Sequence, residues 1–115
     1  FVHIGYLAMI GGMTRVDRDV PPYCLAEGHP GRIRGLNKVG IKRKKIDKEN
    51  KEEYLQLKKI WNLLFKSEYL ISDGLKMAKQ ENLLQSSAML CEFIELSIGR
   101  GRRGPMPFLM STNKQ

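Results

Sequence analysis

The 115-residue chain has little histidine, cysteine and tryptophan, and it has no long apolar run. Its two histidines and two cysteines show no spacing typical of a metal site, so no metal is expected. Cys24 and Cys91 are far apart in apolar surroundings and are predicted to be buried free thiols. The apolar stretch 6–10 is far too short to span a membrane. No basic segment precedes it, so we do not expect a signal peptide.

Positive charge exceeds negative charge and is unevenly placed. The net charge is +8, and residues 32–51 hold nine basic side chains against Asp47 and Glu49. From Arg100 onward there are four further basic residues and no acid. Such stretches attract phosphate-bearing or acidic partners at long range. A solvated charged surface is the other interpretation of the same pattern.

The first twenty residues carry a six-residue repeat. Ile4, Ile10 and Val16 are six positions apart, and a glycine follows the first two directly. This period fits neither a helix nor a simple strand, but it is typical of a hexapeptide β-helix whose aliphatic side chains point inward. Paired prolines at 21–22 predict the end of the repeat, with one edge strand over 23–26. Residues 32–40 are predicted to be a glycine-containing loop.

The second half of the sequence has helical periodicity. Apolar residues at spacings of three and four predict a helix from Asp47, as N-cap, to about Lys66. Two further helices are predicted over 72–82 and 85–98, with Gly99 as a stop. The predicted fold is therefore mixed β and α, a β-helix end over 1–30 followed by a small helical domain over 47–99. A basic connecting loop over 31–46 and a flexible basic tail over 100–115 complete the organisation.

Three local motifs suggest chemistry of their own. Residues 99–104 match the letters of a GxGxxG nucleotide loop, but a predicted helix precedes them and a proline follows, so we reject that interpretation. The basic run 42–45 follows two glycines and contains no aromatic residue, which favours a phosphate contact over base stacking. His29 has the intrinsic pKa of a general base, although an exposed loop histidine is the simpler interpretation. The role of His3 stays open.

Several segments resemble one enzyme family. They are Ile-Gly-Gly-Met at 10–13, Asp-Val-Pro-Pro-Tyr at 19–23, Gly-Leu-Asn at 35–37 and Gly-Ile-Lys-Arg at 40–43. Together they resemble the C-terminal part of acyl-[acyl-carrier-protein]–UDP-N-acetylglucosamine O-acyltransferases. The resemblance implies a left-handed parallel β-helix with a helical C-terminal domain, in a cytoplasmic homotrimer without metal or cofactor. It also implies transfer of a 3-hydroxyacyl chain from acyl carrier protein to the 3-hydroxyl of UDP-N-acetylglucosamine, the first step of lipid A biosynthesis.

The resemblance assigns roles to individual residues. Gly12 and its neighbour Met13 match positions that line the acyl-chain groove. Asn37 and Arg43 match residues that contact the UDP-sugar, with Arg43 on phosphate. Lys44 stands where a second arginine is common. The positive charge is therefore kept, but the planar guanidinium and its bidentate geometry are lost.

Other positions depart from the family pattern. Val39 stands where some members have glutamate. Pro30 replaces a histidine that some members have. Because His29 is only the neighbour of that position, the resemblance gives His29 no role. The catalytic histidine of the family would lie upstream of Phe1, and this chain alone is therefore predicted to be inactive. Two alternatives stay open: another hexapeptide-repeat acyltransferase that uses acyl-CoA, and a basic helical module that binds nucleic acid.

Overall fold

The computed structural model describes residues 2–99 and 101–109. Within these residues three strands precede five helices, so the predicted mixture of β and α structure, in that order along the chain, is confirmed. The strands are β1 (Met9–Ile10), β2 (Cys24–Glu27) and β3 (Arg32–Leu36). The helices are α1 (Lys38–Arg43), α2 (Ile46–Glu49), α3 (Lys51–Phe65), α4 (Ile71–Ala78) and α5 (Gln85–Ser97).

Two chain segments at the start stack on each other as layers, which we call layer one (residues 2–18) and layer two (19–31). Strand β1 pairs in parallel with β2, Met9 opposite Leu25, and Ile4 forms a parallel bridge to Val20. In both pairs the partner lies sixteen positions further on (25 − 9 and 20 − 4). The layers approach closely at Gly5, where a Cβ would lie 2.4 Å from the nitrogen of Pro22. Glycine is needed there because no side chain fits.

Residues 32–36 form a strand, so the predicted loop over 32–40 is wrong. Strand β3 pairs antiparallel with β2, and the register shifts between Leu25 and Ala26. Ile33 and Leu36 are both buried, although three positions separate them. The bulge produces this spacing and hides the alternation that normally identifies a strand. The predicted connecting segment 31–46 therefore contains β3, α1 and the first residue of α2.

The predicted helices agree with the structure except at their boundaries, whereas α1 was not predicted and lies in the predicted connecting loop. The single helix predicted from Asp47 is two helices, α2 and α3, separated at Asn50, whose φ of −136° and ψ of 66° are not helical. Asp47 lies inside α2 and is not an N-cap. Helix α4 begins one residue before the predicted range 72–82 and ends earlier than predicted, at Ala78. Helix α5 lies within the predicted range 85–98. No helix among the described residues is long and apolar enough to cross a bilayer.

Residues 101–109 pack against the rest of the molecule, so the prediction of a flexible tail is wrong for them. Arg100 and residues 110–115 lie outside the described residues. Met106 is fully buried, and its N–H donates to the carbonyl of Asp19 at 2.8 Å. The ring of Phe108 meets that of Trp61 edge to face at 5.6 Å. The segment thus joins layer two to α3, and one hydrophobic core spans layers, helices and tail.

Candidate functional site

A cleft of about 300 Å³ lies between layer one and α1. It brings together the three residues predicted to bind the UDP-sugar, Asn37, Arg43 and Lys44. The remaining lining comes from layer one and from the first turns of α1: Leu7, Ala8, Met9, Val39 and Gly40. We call it the Asn37–Lys44 cleft.

Asn37 fixes the shape of this cleft. Its side chain is buried, and its Oδ1 accepts a hydrogen bond from the N–H of Gly40 at 3.0 Å, which caps α1. Its Nδ2 donates to the carbonyl of Leu7 at 2.9 Å, so that the amide ties α1 to layer one. A Cβ on Gly40 would lie 2.4 Å from that Nδ2, so a glycine is required for the approach. One N–H and one lone pair of the amide remain for a ligand.

Arg43 and Lys44 supply the positive charge of the cleft. Both side chains are exposed at the C-terminal end of α1, where a cation is favoured by the helix dipole. Within the described part of the chain neither forms a salt bridge, since the ion pairs there join other residues. Their charges are therefore available to an anion in the cleft.

Gly12 and Met13, predicted to line the acyl-chain groove, do not reach this cleft. They lie in the turn that follows β1, where a Cβ on Gly12 would have no heavy atom within 4 Å. Met13 is 96% exposed. Their assignment to an acyl-chain groove stays a prediction.

The other candidate chemical groups give no catalytic constellation. His3 and His29 are exposed, and no side-chain hydrogen bond of either is found within residues 2–99 and 101–109. Burial raises the pKa of the Cys24 thiol to about 12 and that of Cys91 to about 11, so neither is a nucleophile at neutral pH. In the same residues no group of three or more His, Cys, Asp or Glu side chains could hold a metal ion.

A second cleft, of about 220 Å³, was not predicted from the sequence. Four cationic side chains surround it, Arg34, Lys38, Lys58 and Lys66, and no acidic side chain lines it. Its floor is formed by Leu36, Trp61 and Phe108. We call it the basic cleft. The cations come from β3, α1 and α3 together with the residue after α3, so their convergence could not be read from spacing in the sequence.

The comparisons with known proteins agree with the family resemblance. The family model described as "Udp N-acetylglucosamine O-acyltransferase; Domain 2" matches residues 19–106. The chain is 40% identical over 108 residues to the acyl-[acyl-carrier-protein]–UDP-N-acetylglucosamine O-acyltransferase of Gloeothece citriformis, covering 93% of this chain and 38% of that protein. It is 39% identical over 113 residues to the Synechocystis sp. enzyme of the same name, with the same shares covered.

Solved structures show the same likeness. The Arabidopsis UDP-N-acetylglucosamine acyltransferase superposes with a TM-score of 0.82 at 29% identity, covering 92% of this chain and 38% of that one. The Campylobacter jejuni enzyme gives 0.77 at 29% identity, with 96% and 40% covered. Fold and likeness together place the chain among the domains of UDP-N-acetylglucosamine acyltransferases.

The chain belongs to the UDP-N-acetylglucosamine O-acyltransferase family and corresponds to the C-terminal part of its members. It spans about 38% of the length of the curated relatives that it matches.

Proposed function

We propose that the chain forms part of an acyltransferase that moves a 3-hydroxyacyl chain from acyl carrier protein to the 3-hydroxyl of UDP-N-acetylglucosamine. This would be the first step of lipid A biosynthesis. The observation that carries the proposal is the Asn37–Lys44 cleft, in which the cationic side chains of Arg43 and Lys44 lie beside a buried amide. The names of the relatives supply the donor and the acceptor.

In this proposal each lining residue has a separate task. Arg43 binds a phosphate oxygen pair of the nucleotide through its planar guanidinium, and Lys44 adds a point charge. Asn37 uses its remaining N–H and lone pair on the sugar, while its two internal bonds keep α1 against layer one. Binding of this kind orients the acceptor and does not itself move a proton.

The finer fold assignment supports the same function. We propose that layers one and two are the last coils of a left-handed β-helix, because aliphatic residues of layer one recur every six positions and the two layers pair in parallel. Gly12 and Met13 are exposed on these coils. An acyl groove at this position would need a further surface to close it, which a neighbouring subunit of a homotrimer would provide.

We further propose that the chain alone does not catalyse transfer. Proton transfer by a positioned base typically contributes about 10²–10⁴-fold. Among the described residues no carboxylate forms a hydrogen bond or an ion pair with the imidazole of His3 or of His29, since the bond from His3 to Asp19 comes from the backbone N–H. An assay of the 115-residue chain with 3-hydroxyacyl carrier protein and UDP-N-acetylglucosamine should show no product above the uncatalysed rate. Turnover would contradict this part of the proposal and would leave the binding roles untouched.

The basic cleft gives the carrier protein a place to dock. Four cations around a small apolar floor suit an acidic protein surface that inserts one apolar side chain. A volume of about 220 Å³ is too small for a complete nucleotide-sugar, since small-molecule sites usually measure roughly 300–1,000 Å³. Lys58→Glu and Lys66→Glu should each weaken carrier binding about tenfold, and Lys76→Glu, on α4 outside this cleft, should have a much smaller effect. Equal effects of all three would contradict docking at this cleft.

The acceptor role is tested by titration calorimetry of the 115-residue chain with UDP-N-acetylglucosamine. Arg43→Ala should weaken binding by about 10- to 100-fold, because a charge-assisted bidentate contact is lost. Lys44→Ala should weaken it less, since a point charge is screened more easily. Lys76→Ala removes the same charge from an exposed position outside the cleft and serves as the matched control. Equal affinities for the Arg43 and Lys76 variants would refute the assignment.

A further inference from the structure

A third cleft, of about 340 Å³, has a different character from the two already described. It lies where the C-terminal end of α3, the start of α4 and the end of α5 meet the segment 103–108. Its walls are apolar: Leu64, Phe65, Ile71, Ile98, Met106 and Phe108. We call it the apolar groove.

In the described part of the chain the charged residues that line this groove are Arg18 from layer one and Arg103 from the segment after α5. Among the described residues neither forms a salt bridge. Asp17 lines an adjoining cleft that both arginines also border, and the Arg103 guanidinium donates to the backbone carbonyl of Asp17 at 3.4 Å. Asp19, in that same adjoining cleft, is already paired with Arg102. The groove therefore combines an apolar body with an excess of positive charge at one place.

We propose that the apolar groove is a binding site for a medium-chain aliphatic carboxylate. Since a water-sized group takes roughly 30 Å³, the groove holds on the order of ten heavy atoms. That is the size of a carboxylate with about eight carbons. The alkyl chain would lie against Leu64, Ile71 and Ile98, and the carboxylate would accept hydrogen bonds from the two guanidinium groups.

The same features disfavour other small ligands. A nucleotide or sugar would place many polar groups against walls that offer few hydrogen-bond partners, which costs free energy for each group left unpaired. An aliphatic cation would be repelled by the two arginines. An uncharged alcohol would gain the apolar contact and lose the charge-assisted hydrogen bonds. The site is separate from the Asn37–Lys44 cleft, and the proposal does not depend on the acyltransferase function.

The test measures octanoate binding to the 115-residue chain by carbon-13 methyl NMR and by titration calorimetry. Octanoate should shift the methyl resonances of Ile71, Ile98 and Met106. Octanol should bind at least tenfold more weakly, and octylamine should cause no shift at these methyl groups. Arg18→Ala and Arg103→Ala should each weaken octanoate binding about tenfold.

Arg15→Ala is the matched control, because Arg15 is an exposed arginine of layer one that does not line the groove. Its octanoate affinity should equal that of the unchanged chain. Near-ultraviolet circular dichroism of the three variants should be the same, since none of these side chains is buried. The proposal is overturned if octanoate shifts none of the three methyl groups, if octanol binds as tightly, or if Arg15→Ala weakens binding as much as Arg103→Ala.

Discussion

Asp19 is the buried acid that connects three parts of the chain. Its carboxylate accepts hydrogen bonds from the N–H of His3 at 2.9 Å and from Ser97 Oγ at 2.6 Å, and it pairs with Arg102. Burial alone raises the pKa of Asp19, but the bonds from Ser97, His3 and Arg102 outweigh it and hold the pKa below its ordinary value. Layer one, the end of α5 and the final segment therefore meet at one ionised group.

Replacing Asp19 with Asn should lower the free energy of unfolding by about 2 kcal/mol, because charge-assisted bonds become neutral ones and Arg102 loses its partner. A folded pKa below the unfolded value of about 3.9 means that this stabilisation is complete above about pH 5. It is lost as the pH falls through the folded pKa. Urea unfolding at pH 7 and at pH 3 measures both effects. The difference between the variant and the unchanged chain should be smaller at pH 3 than at pH 7.

Asp17→Asn is the control for that measurement, since Asp17 is only half-buried and its side chain has no hydrogen bond within the described residues. Its free energy of unfolding at pH 7 should change by no more than about 0.5 kcal/mol. A loss as large as that of Asp19→Asn would show that net charge, and not the specific contacts of Asp19, stabilises the fold.

The two thiols should be inert in the folded chain. Cys24 is fully buried and Cys91 is 3% exposed, and burial raises both pKa values to about 12 and about 11. A disulfide reagent at pH 8 should therefore label neither cysteine in buffer and both in 6 M guanidinium, since thiolate and access are both required. Fast labelling of Cys91 alone under native conditions would show that α5 opens locally.

At the level of single residues, the sequence predicts contacts between positions that are close along the chain and misses contacts between distant ones. Asn37, Arg43 and Lys44, which the family motif groups, line one cleft, because they lie within seven positions of a segment that ends in one short helix. The binding roles themselves stay predictions. Asp19 and Ser97 are 78 positions apart, so their contact depends on the whole fold and has no local pattern. The basic cleft was missed for the same reason.

The crossing of α3 and α4 depends on Gly74. A Cβ at this position would lie 2.9 Å from the carbonyl oxygen of Leu63, which is backbone and cannot move aside easily. Helix propensity alone favours Gly74→Ala by about 1 kcal/mol. Overpacking against the neighbouring helix costs about 1–3 kcal/mol, so we expect a net loss of stability of up to about 2 kcal/mol.

Urea midpoints of two alanine variants measure this balance. Gly35→Ala is the comparison, because a Cβ at Gly35 in β3 would have no heavy atom within 4 Å. That variant should keep its midpoint or gain slightly, as the unfolded chain loses conformational freedom. A higher midpoint for Gly74→Ala would mean that the two helices separate at little cost.

Elements were predictable where their periodicity was regular. The stripe Leu57, Ile60, Trp61, Leu64 and Phe65 identified α3, and all five side chains are buried. By contrast, β3 was missed because its bulge places buried residues three positions apart. Helical periodicity alone would place Met77 of α4 and Leu96 of α5 in the core, but both are exposed, because periodicity does not distinguish an apolar side chain beside a stripe from one within it.

At the scale of the whole molecule, the segment 101–109 packs on the core, although its sequence predicted a flexible tail. Glycine and arginine at 99–104 suggested a flexible tail, but Pro105, Met106, Pro107 and Phe108 follow directly. The N–H of Ile33 donates to the carbonyl of Pro107 at 2.8 Å, and the N–H of Leu109 donates to that of Ile33 at 2.9 Å. The segment thus forms bonds along β3 while Phe108 covers Trp61. The segment adds contacts with layer two, β3 and α3 to the one core that layers and helices share.

Met106 is a fully buried side chain of that segment, and two methionines allow a matched test. Met106 is fully buried, whereas Met13 is 96% exposed. Met106→Ala should lower the free energy of unfolding by about 2–5 kcal/mol, since the apolar contact is lost and a cavity is left between layer two, α3 and α5. Met13→Ala should change it by less than about 0.5 kcal/mol. Chemical unfolding followed by tryptophan fluorescence suits both variants, because Trp61 contacts Phe108 of the same segment. If the two variants unfolded at the same urea concentration, burial of Met106 would contribute little to the free energy of unfolding, and the final segment would not be part of the core.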